Sequence, residues 1–241
     1  MRTLKTFAAG FLAFLLTLTP LAAAAQIPLL GAGQQRSSAA ASQTSVWSVA
    51  ASTAQANGST FSTTLVANDT VVNASTWPGS TDISTFAFPS NQSGKWFWQV
   101  KVNAVQSESR FGIASGARAS FIGNWGGAQD NLAMRKDGIF YGSTGQTGVN
   151  IVTGDVVDHI VDLATGQVAW STDGITWWGA GGVTTSTLAE IIAGTGGWIT
   201  SPVFDNRVRY PAVSGVPMGT MQLLAGSNIT RSPPTGFTVI P

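Results

Sequence analysis

The chain has 241 residues, a formal charge of +1, 28 glycines, one histidine and no cysteine, and only 10% of it is charged. These totals exclude disulfides, thiol chemistry and thiolate metal sites, leave little for an imidazole-based zinc site or a Ser-His-Asp triad, and offer nucleic acid no basic surface. Abundant Gly, Ser and Thr with few charges suit short strands and many turns rather than a helical bundle.

Residues 1–25 read as a signal peptide or an N-terminal apolar anchor. Arg2 and Lys5 precede an apolar run, and Ala22, Ala23, Ala24 and Ala25 supply the small residues of a cleavage site before Gln26. Retained, the run nearly spans a bilayer and is the chain's one expected route to a membrane. Residues 26–45 lack helix or strand periodicity and read as a linker or tether, with a small apolar plug at Ile27, Pro28, Leu29 and Leu30.

From residue 46 the pattern becomes strands and turns. Residues 60–66 and 70–73 are short and rich in Thr and Val, Trp77-Pro78-Gly79-Ser80 is a turn, and residues 83–88 lead into the most informative stretch, 94–102, GKWFWQVKV. There Trp96, Trp98, Val100 and Val102 share one parity, and Lys95, Phe97, Gln99 and Lys101 share the other. That alternation predicts a central strand of an antiparallel sandwich, with one large apolar face and one mixed face. Residues 110–114 form a brief strand, and the Gly-rich stretch 117–130 carries Phe121 and Trp125 in a surface loop. Strands at 131–135 and 139–142 meet at Asp137-Gly138. Strands at 156–163, 167–171 and 175–178 form a meander through Ala164-Thr165-Gly166 and Asp173-Gly174. A single helical turn at 188–192 interrupts a Gly/Thr-rich stretch, strands follow at 209–213 and 218–224, and a tail ends SPPTGFTVIP.

Several of these segments resemble one family in order and spacing. Gly94-Lys95-Trp96-Phe97-Trp98-Gln99-Val100 resembles the GKWYWEV strand of SPRY domains, and Phe111-Gly112-Ile113-Ala114 their VGIA strand. Residues 131–142 resemble the strand pair after it. Gly154-Asp155-Val156-Val157, with Val161-Asp162-Leu163 and Thr165-Gly166-Gln167-Val168, resembles their GDVIGVALDL-x-TGTV hairpin. Tyr210-Pro211-Ala212-Val213 and Pro233-Pro234-Thr235-Gly236-Phe237 resemble the late YPAV and PP-x-GF segments. The resemblance implies that residues 46–241 form an all-β, concanavalin-like sandwich of two curved antiparallel sheets, used as a binding module rather than an enzyme. Asp158-His159 replaces the family's Gly-Val pair, and the 117–130 loop carries no partner motif of the family. A leader, no cysteine and Gly/Thr-rich loops are more similar to bacterial or bacteriophage versions than to animal ones.

His159 shares parity with Val157, Val161 and Leu163, which predicts a hydrogen-bonded core imidazole rather than a ligand-binding one. Asp158 and Asp162 are four apart on a strand, roughly 13 Å by rise per residue, too far to share one cation; Asp155 belongs to a turn, and no metal is expected. A glycan-cleaving enzyme on this fold needs two carboxyl groups roughly 5–9.5 Å apart. The chain has only Glu108 and Glu190, the Glu-x-Asp-x-x-Glu strand of concanavalin-like glucanases is absent, and no catalytic residue or cofactor is expected. Ser171-Thr172-Asp173-Gly174-Ile175-Thr176-Trp177 is one residue short of an Asp-box turn, with Asp173 closing a hairpin. Trp96, Trp98 and Trp170 read as core. Trp125, Trp177, Trp178 and Trp198 lie in or beside Gly-rich loops, where they are either stacking platforms or loop anchors; Arg118, Asn124 and Asn131 are the polar partners of such a site.

The expected function is recognition of a glycan or protein surface by loops on one edge of a rigid sandwich. Two settings fit: a phage virion or tail protein contacting host glycan or a neighbouring subunit, and a secreted bacterial lectin-like domain. Either places the chain outside the cell or in a virion. Mass spectrometry of the native N-terminus separates them: Gln26 as the first residue marks export, and Met1 marks direct assembly.

Overall fold

The computed structural model describes residues 45–48, 63–66, 69–72, 80–89, 93–115, 131–141, 149–179, 185–199, 208–215 and 219–241. All belong to the compact unit Ser38–Pro241. The expected leader and residues 26–44 of the tether lie outside the described residues.

The strands, in chain order, are β1 (Trp47–Ser48), β2 (Thr63–Val66), β3 (Asp69–Val72), β4 (Ser80–Ser84), β5 (Lys95–Val105), β6 (Arg110–Ser115), β7 (Asn131–Arg135) and β8 (Phe140–Tyr141). There follow β9 (Val156–Asp162), β10 (Gln167–Ser171), β11 (Thr176–Trp178), β12 (Thr185–Thr187), helix α1 (Leu188–Ala193), β13 (Trp198–Ile199), β14 (Arg209–Gly215), β15 (Gly219–Leu224) and β16 (Thr238–Val239). One sheet has the order β1-β4-β14-β6-β7-β8, and the larger one β12-β11-β10-β9-β5-β15-β3-β2. Every pairing along these two orders is antiparallel, which is the sandwich expected from the sequence. Strands β9, β10 and β11 form the expected meander, and β5 lies between β9 and β15 at the centre of the large sheet.

The core between the sheets follows from parity. Trp98, Val100 and Val102 of β5, Val157 and Val161 of β9, and Val168 and Trp170 of β10 point inward, against Phe111 and Ile113 of β6, Leu132 and Met134 of β7, and Val213 of β14. Trp98 is fully buried, whereas Trp96, at the strand's start, is half-buried against Phe86 and Phe88.

On the mixed face of β5, Phe97 and Gln99 are buried as well, while Lys95 is half-buried and Lys101 exposed. Phe97 joins Ile160, Ala169 and Trp177 in a second apolar cluster, roofed by Ile191 of α1 and by Phe237 near the C-terminus. The tail, which shows no strand periodicity, crosses this outer face as a strap and then joins the sheet beside β5, where Ile240 enters the inner core. Its β16 pairs parallel with β5, Thr238 opposite Trp96, and the Ile240 N–H donates to the Phe97 carbonyl at 3.0 Å. Helix α1 has six residues, too few to persist alone. Thr187 and Glu190 form a capping box at its start, and Gly194 ends it in the left-handed region. Gln167 reaches from β10 to hold it, its Nε2 donating to the carbonyls of Ile191 (3.1 Å) and Gly196 (2.9 Å).

His159 takes the core position read from its parity. Its ring stacks on Trp98 with centroids 4.9 Å apart, and Nδ1 lies 3.0 Å from the Val157 carbonyl oxygen. Burial pushes its pKa down to about 3, against a smaller upward effect of the Val157 carbonyl. The unfolded chain therefore binds this proton near pH 6.5 while the folded chain does not. His159 contributes stability above about pH 6.5 that is lost as pH falls toward about 3, at up to about 1.4 kcal/mol per pH unit. Asp158, whose pKa is raised by burial, has the opposite sign. Urea midpoints should fall from about pH 7 to about pH 5, and His159→Phe should flatten that fall; an unchanged slope in the variant removes His159 as its cause.

Candidate recognition site

The registers define two ends of the sandwich. At one end, Ser115 stands opposite Arg209 and Ala114 opposite Asn131, while the Phe88 N–H donates to the Arg209 carbonyl at 2.8 Å. The Leu163 N–H donates to the Gly94 carbonyl at 3.1 Å there, and Gln167 stands opposite Ile199. The described ends of three connections, 90–92, 116–130 and 200–207, thus meet beside the β9–β10 turn.

At the other end, where the connection 73–79 also starts and finishes, the described residues are joined by short turns. The Lys136 N–H donates to the Ser109 carbonyl at 2.9 Å and the Ile151 N–H to the Lys136 carbonyl at 2.6 Å. Glu108 accepts from Arg110 at 2.6 Å and from Arg135 at 2.9 Å, and Arg135 also pairs with Asp137. Burial raises the Asp137 pKa, but the Arg135 bonds outweigh it and hold the carboxyl below its ordinary value.

The predicted site residues divide between these places. Arg118, Asn124 and Trp125 lie outside the described residues, and Asn131 opens β7 at the loop-bearing end. Trp177 and Trp178 are not stacking platforms: they are 1% and 8% exposed. They sit on the expected strand, Thr176–Trp178, so the two indoles point to opposite faces of a sheet covered on both. Trp198 is half-buried, packs against the inner core and meets Phe140 edge-on with centroids 6.4 Å apart. It leads into the 200–207 connection. Trp178 and Trp198 pack on the same inner cluster, with Gly179 close against Gly197 and the Trp198 amide, while Trp177 lies on the opposite face, so the three do not form one site.

The acidic groups have structural partners. Asp155 accepts from the Val152 N–H at 2.8 Å, and Asp162 pairs with Lys95 at 3.2 Å and accepts from the Ala164 N–H at 3.0 Å. Asp173 accepts from the Ile175 and Thr176 N–H groups, both at 2.8 Å, with Gly174 at φ +76° completing the turn. Burial raises the Asp173 pKa, but those two N–H donors outweigh it and lower it overall. Glu108 belongs to the ion network and Glu190 to the capping box, so both glutamates serve the scaffold.

Sequence reasoning missed a polar clamp on the outer face. Arg231 of the strap donates to both oxygens of Asp158, at 2.8 and 2.9 Å, and also reaches the Val156 carbonyl. Gln99 donates to Asp158 at 2.6 Å and accepts from the Thr230 N–H at 2.7 Å. The signal was the Asp158-His159 departure: one residue of the pair fastens the strap outside, and the other stacks in the core inside. Beside the clamp, Ile175 is 71% exposed at the tip of the β10–β11 hairpin.

No family model matches the chain, and no curated protein does. Among solved structures, the SPRY domain of human HERC1 is similar over 77% of this chain and 99% of that one, at 10% identity and a TM-score of 0.51. A human SPRY domain (13% identity, 68% and 96% covered, TM-score 0.43) and the TRIM65 PSpry domain (12%, 75% and 90%, 0.46) are also similar. The HERC1 likeness shows that the chain has the SPRY-type, concanavalin-like sandwich fold.

Removing Arg231 leaves the Asp158 carboxylate buried without its cation. Arg231→Met should cost about 3 kcal/mol by urea denaturation, the low end for a broken buried pair because the arginine keeps 30% of its side chain exposed. Arg231→Met with Asp158→Asn should recover part of that loss; no recovery would place the cost in packing instead.

Proposed function

We propose that this chain is a non-enzymatic recognition module that engages a partner protein through the loop-bearing end of the sandwich. One observation carries the reading: three connections, 90–92, 116–130 and 200–207, start and finish at a single end, while the described residues of the opposite end, where 73–79 also starts and finishes, are tied together by short turns and ion pairs. Binding loops on a rigid scaffold lose less conformational freedom on association than loops on a mobile one. The likeness to SPRY domains supports a role in recognition rather than chemistry. Arg118, Asn124, Trp125 and Asn131 are the side chains proposed to make the contact, a large aromatic flanked by hydrogen-bonding groups.

The finer reading is an exported or virion-assembled protein whose partner is a neighbouring structural protein or a host-surface glycan. Its support is the leader-like N-terminus, the low-complexity tether that follows and the absence of cysteine. The same Trp and Asn composition suits sugar stacking, which keeps the glycan in view as a second ligand class.

The test is a screen of the full chain against a glycan array and against surface proteins of its own producing cells or particles, repeated with two variants. Trp125→Ala with Arg118→Ala should weaken the selected interaction at least about tenfold, whereas Ile175→Ser toward the opposite end should leave it unchanged. Equal binding by wild type and the loop variant removes the loop-bearing end as the site. A hit confined to glycans replaces the protein partner with a sugar.

A further inference from the structure

The inner face of the large sheet carries a row of three polar rings. Trp98 on β5 stands opposite His159 on β9, and His159 stands opposite Trp170 on β10. All three are buried at 1% exposure or less. Aromatic rings close over the row: Phe111 lies 6.4 Å from His159, Phe88 lies 5.6 Å from Trp98, and Phe140 lies 5.3 Å from Trp170, centroid to centroid.

The proton inventory of the row is unbalanced. The Val157 carbonyl can only accept, so Nδ1 of His159 carries the ring proton and Nε2 presents a bare lone pair. Nε2 has no hydrogen-bond partner among the described residues, and neither does the indole N–H of Trp98 or of Trp170. Trp98 does not satisfy Nε2 directly, because the two rings are stacked only 18° from parallel and Nε2 directs its lone pair within the imidazole plane. Leaving such buried groups bare is costly, and three together would consume much of a domain's ordinary stability.

A cation does not suit the row: Asp158 and Asp162, the carboxylates of β9, point to the outer face and are engaged by Arg231 and Lys95. What the three groups lack is two acceptors and one donor, and a neutral molecule with two lone pairs and a proton to give supplies them. We propose that a single water molecule is bound within this row as a permanent part of the core, accepting from the Trp98 and Trp170 indoles and donating to Nε2 of His159. The family-atypical histidine is then the anchor of a hydration site inside an otherwise aromatic layer.

The experiment is NMR on the full chain with 15N-labelled Trp and His. Both indole protons should give cross-peaks to water, with the opposite NOE and ROE signs of a long-lived bound molecule. Nε2 should resonate away from the position of a bare pyridine-type nitrogen. His159→Phe should abolish both water cross-peaks. Water contact at neither indole, or at only one, overturns the bridge, as do cross-peaks that persist unchanged in His159→Phe. Should that variant fail to fold, the wild-type indole cross-peaks and the Nε2 shift still decide between a bridged and a dry row.

Discussion

Strand β5 runs through the middle of the large sheet with apolar side chains on both of its faces, and the layers on either side answer that demand. Its inward indole at Trp98 is covered by the small sheet. Its outward Phe97 has no second sheet to meet, so a short helix and the C-terminal strap provide the missing layer. A sheet with one wet face needs neither. The same demand explains why Gln99 and Asp158, polar residues on the outward side, are buried with full sets of partners: once the strap is laid down, any polar atom beneath it must be paired within the protein.

The clamp between Arg231 and Asp158 shows how this outer layer is kept in place. An ion pair of this kind adds little net stability over well-packed apolar groups, but it penalises every alternative seating of the strap. A strap shifted by one residue would leave a buried carboxylate with nothing to neutralise it. Burial raises the Asp158 pKa despite the arginine, so desolvation is the larger of the opposing effects there. Direction and register come from the charge, and adhesion comes from Phe237, Val239 and Ile229 on the apolar cluster.

Much of the sandwich was legible because side-chain parity in strands is rigid. The alternation at residues 94–102 located β5 and the inner core, and the turn residues Asp173-Gly174 and Ala164-Thr165-Gly166 marked the meander. His159 was placed correctly by parity alone. The strap was illegible for a matching reason: SPPTGFTVIP has prolines and no alternation, and its place is set by partners far away in sequence, Asp158 and Gln99. Trp177 and Trp178 were placed on a strand, but whether their rings were free stayed open because Gly-rich segments flank it. Two adjacent indoles on a three-residue strand point to opposite faces, and only knowledge that both faces are covered says that neither is free. The recognition surface itself was legible only as chemistry, an aromatic among Asn and Arg side chains. The register that gathers the connections at one end is a property of the paired strands.

Helix α1 spans less than two full turns and owes its existence to the platform beneath it, chiefly Ile191 on the apolar cluster and the Gln167 amide under its last carbonyls. Its detachment would cost a handful of contacts, whereas parting the sheets would cost the whole inner layer. Among the described elements the softest seam therefore runs between this short helix and the sheet, and what first meets solvent when the seam gives is Trp177, the largest side chain of the apolar cluster beneath it.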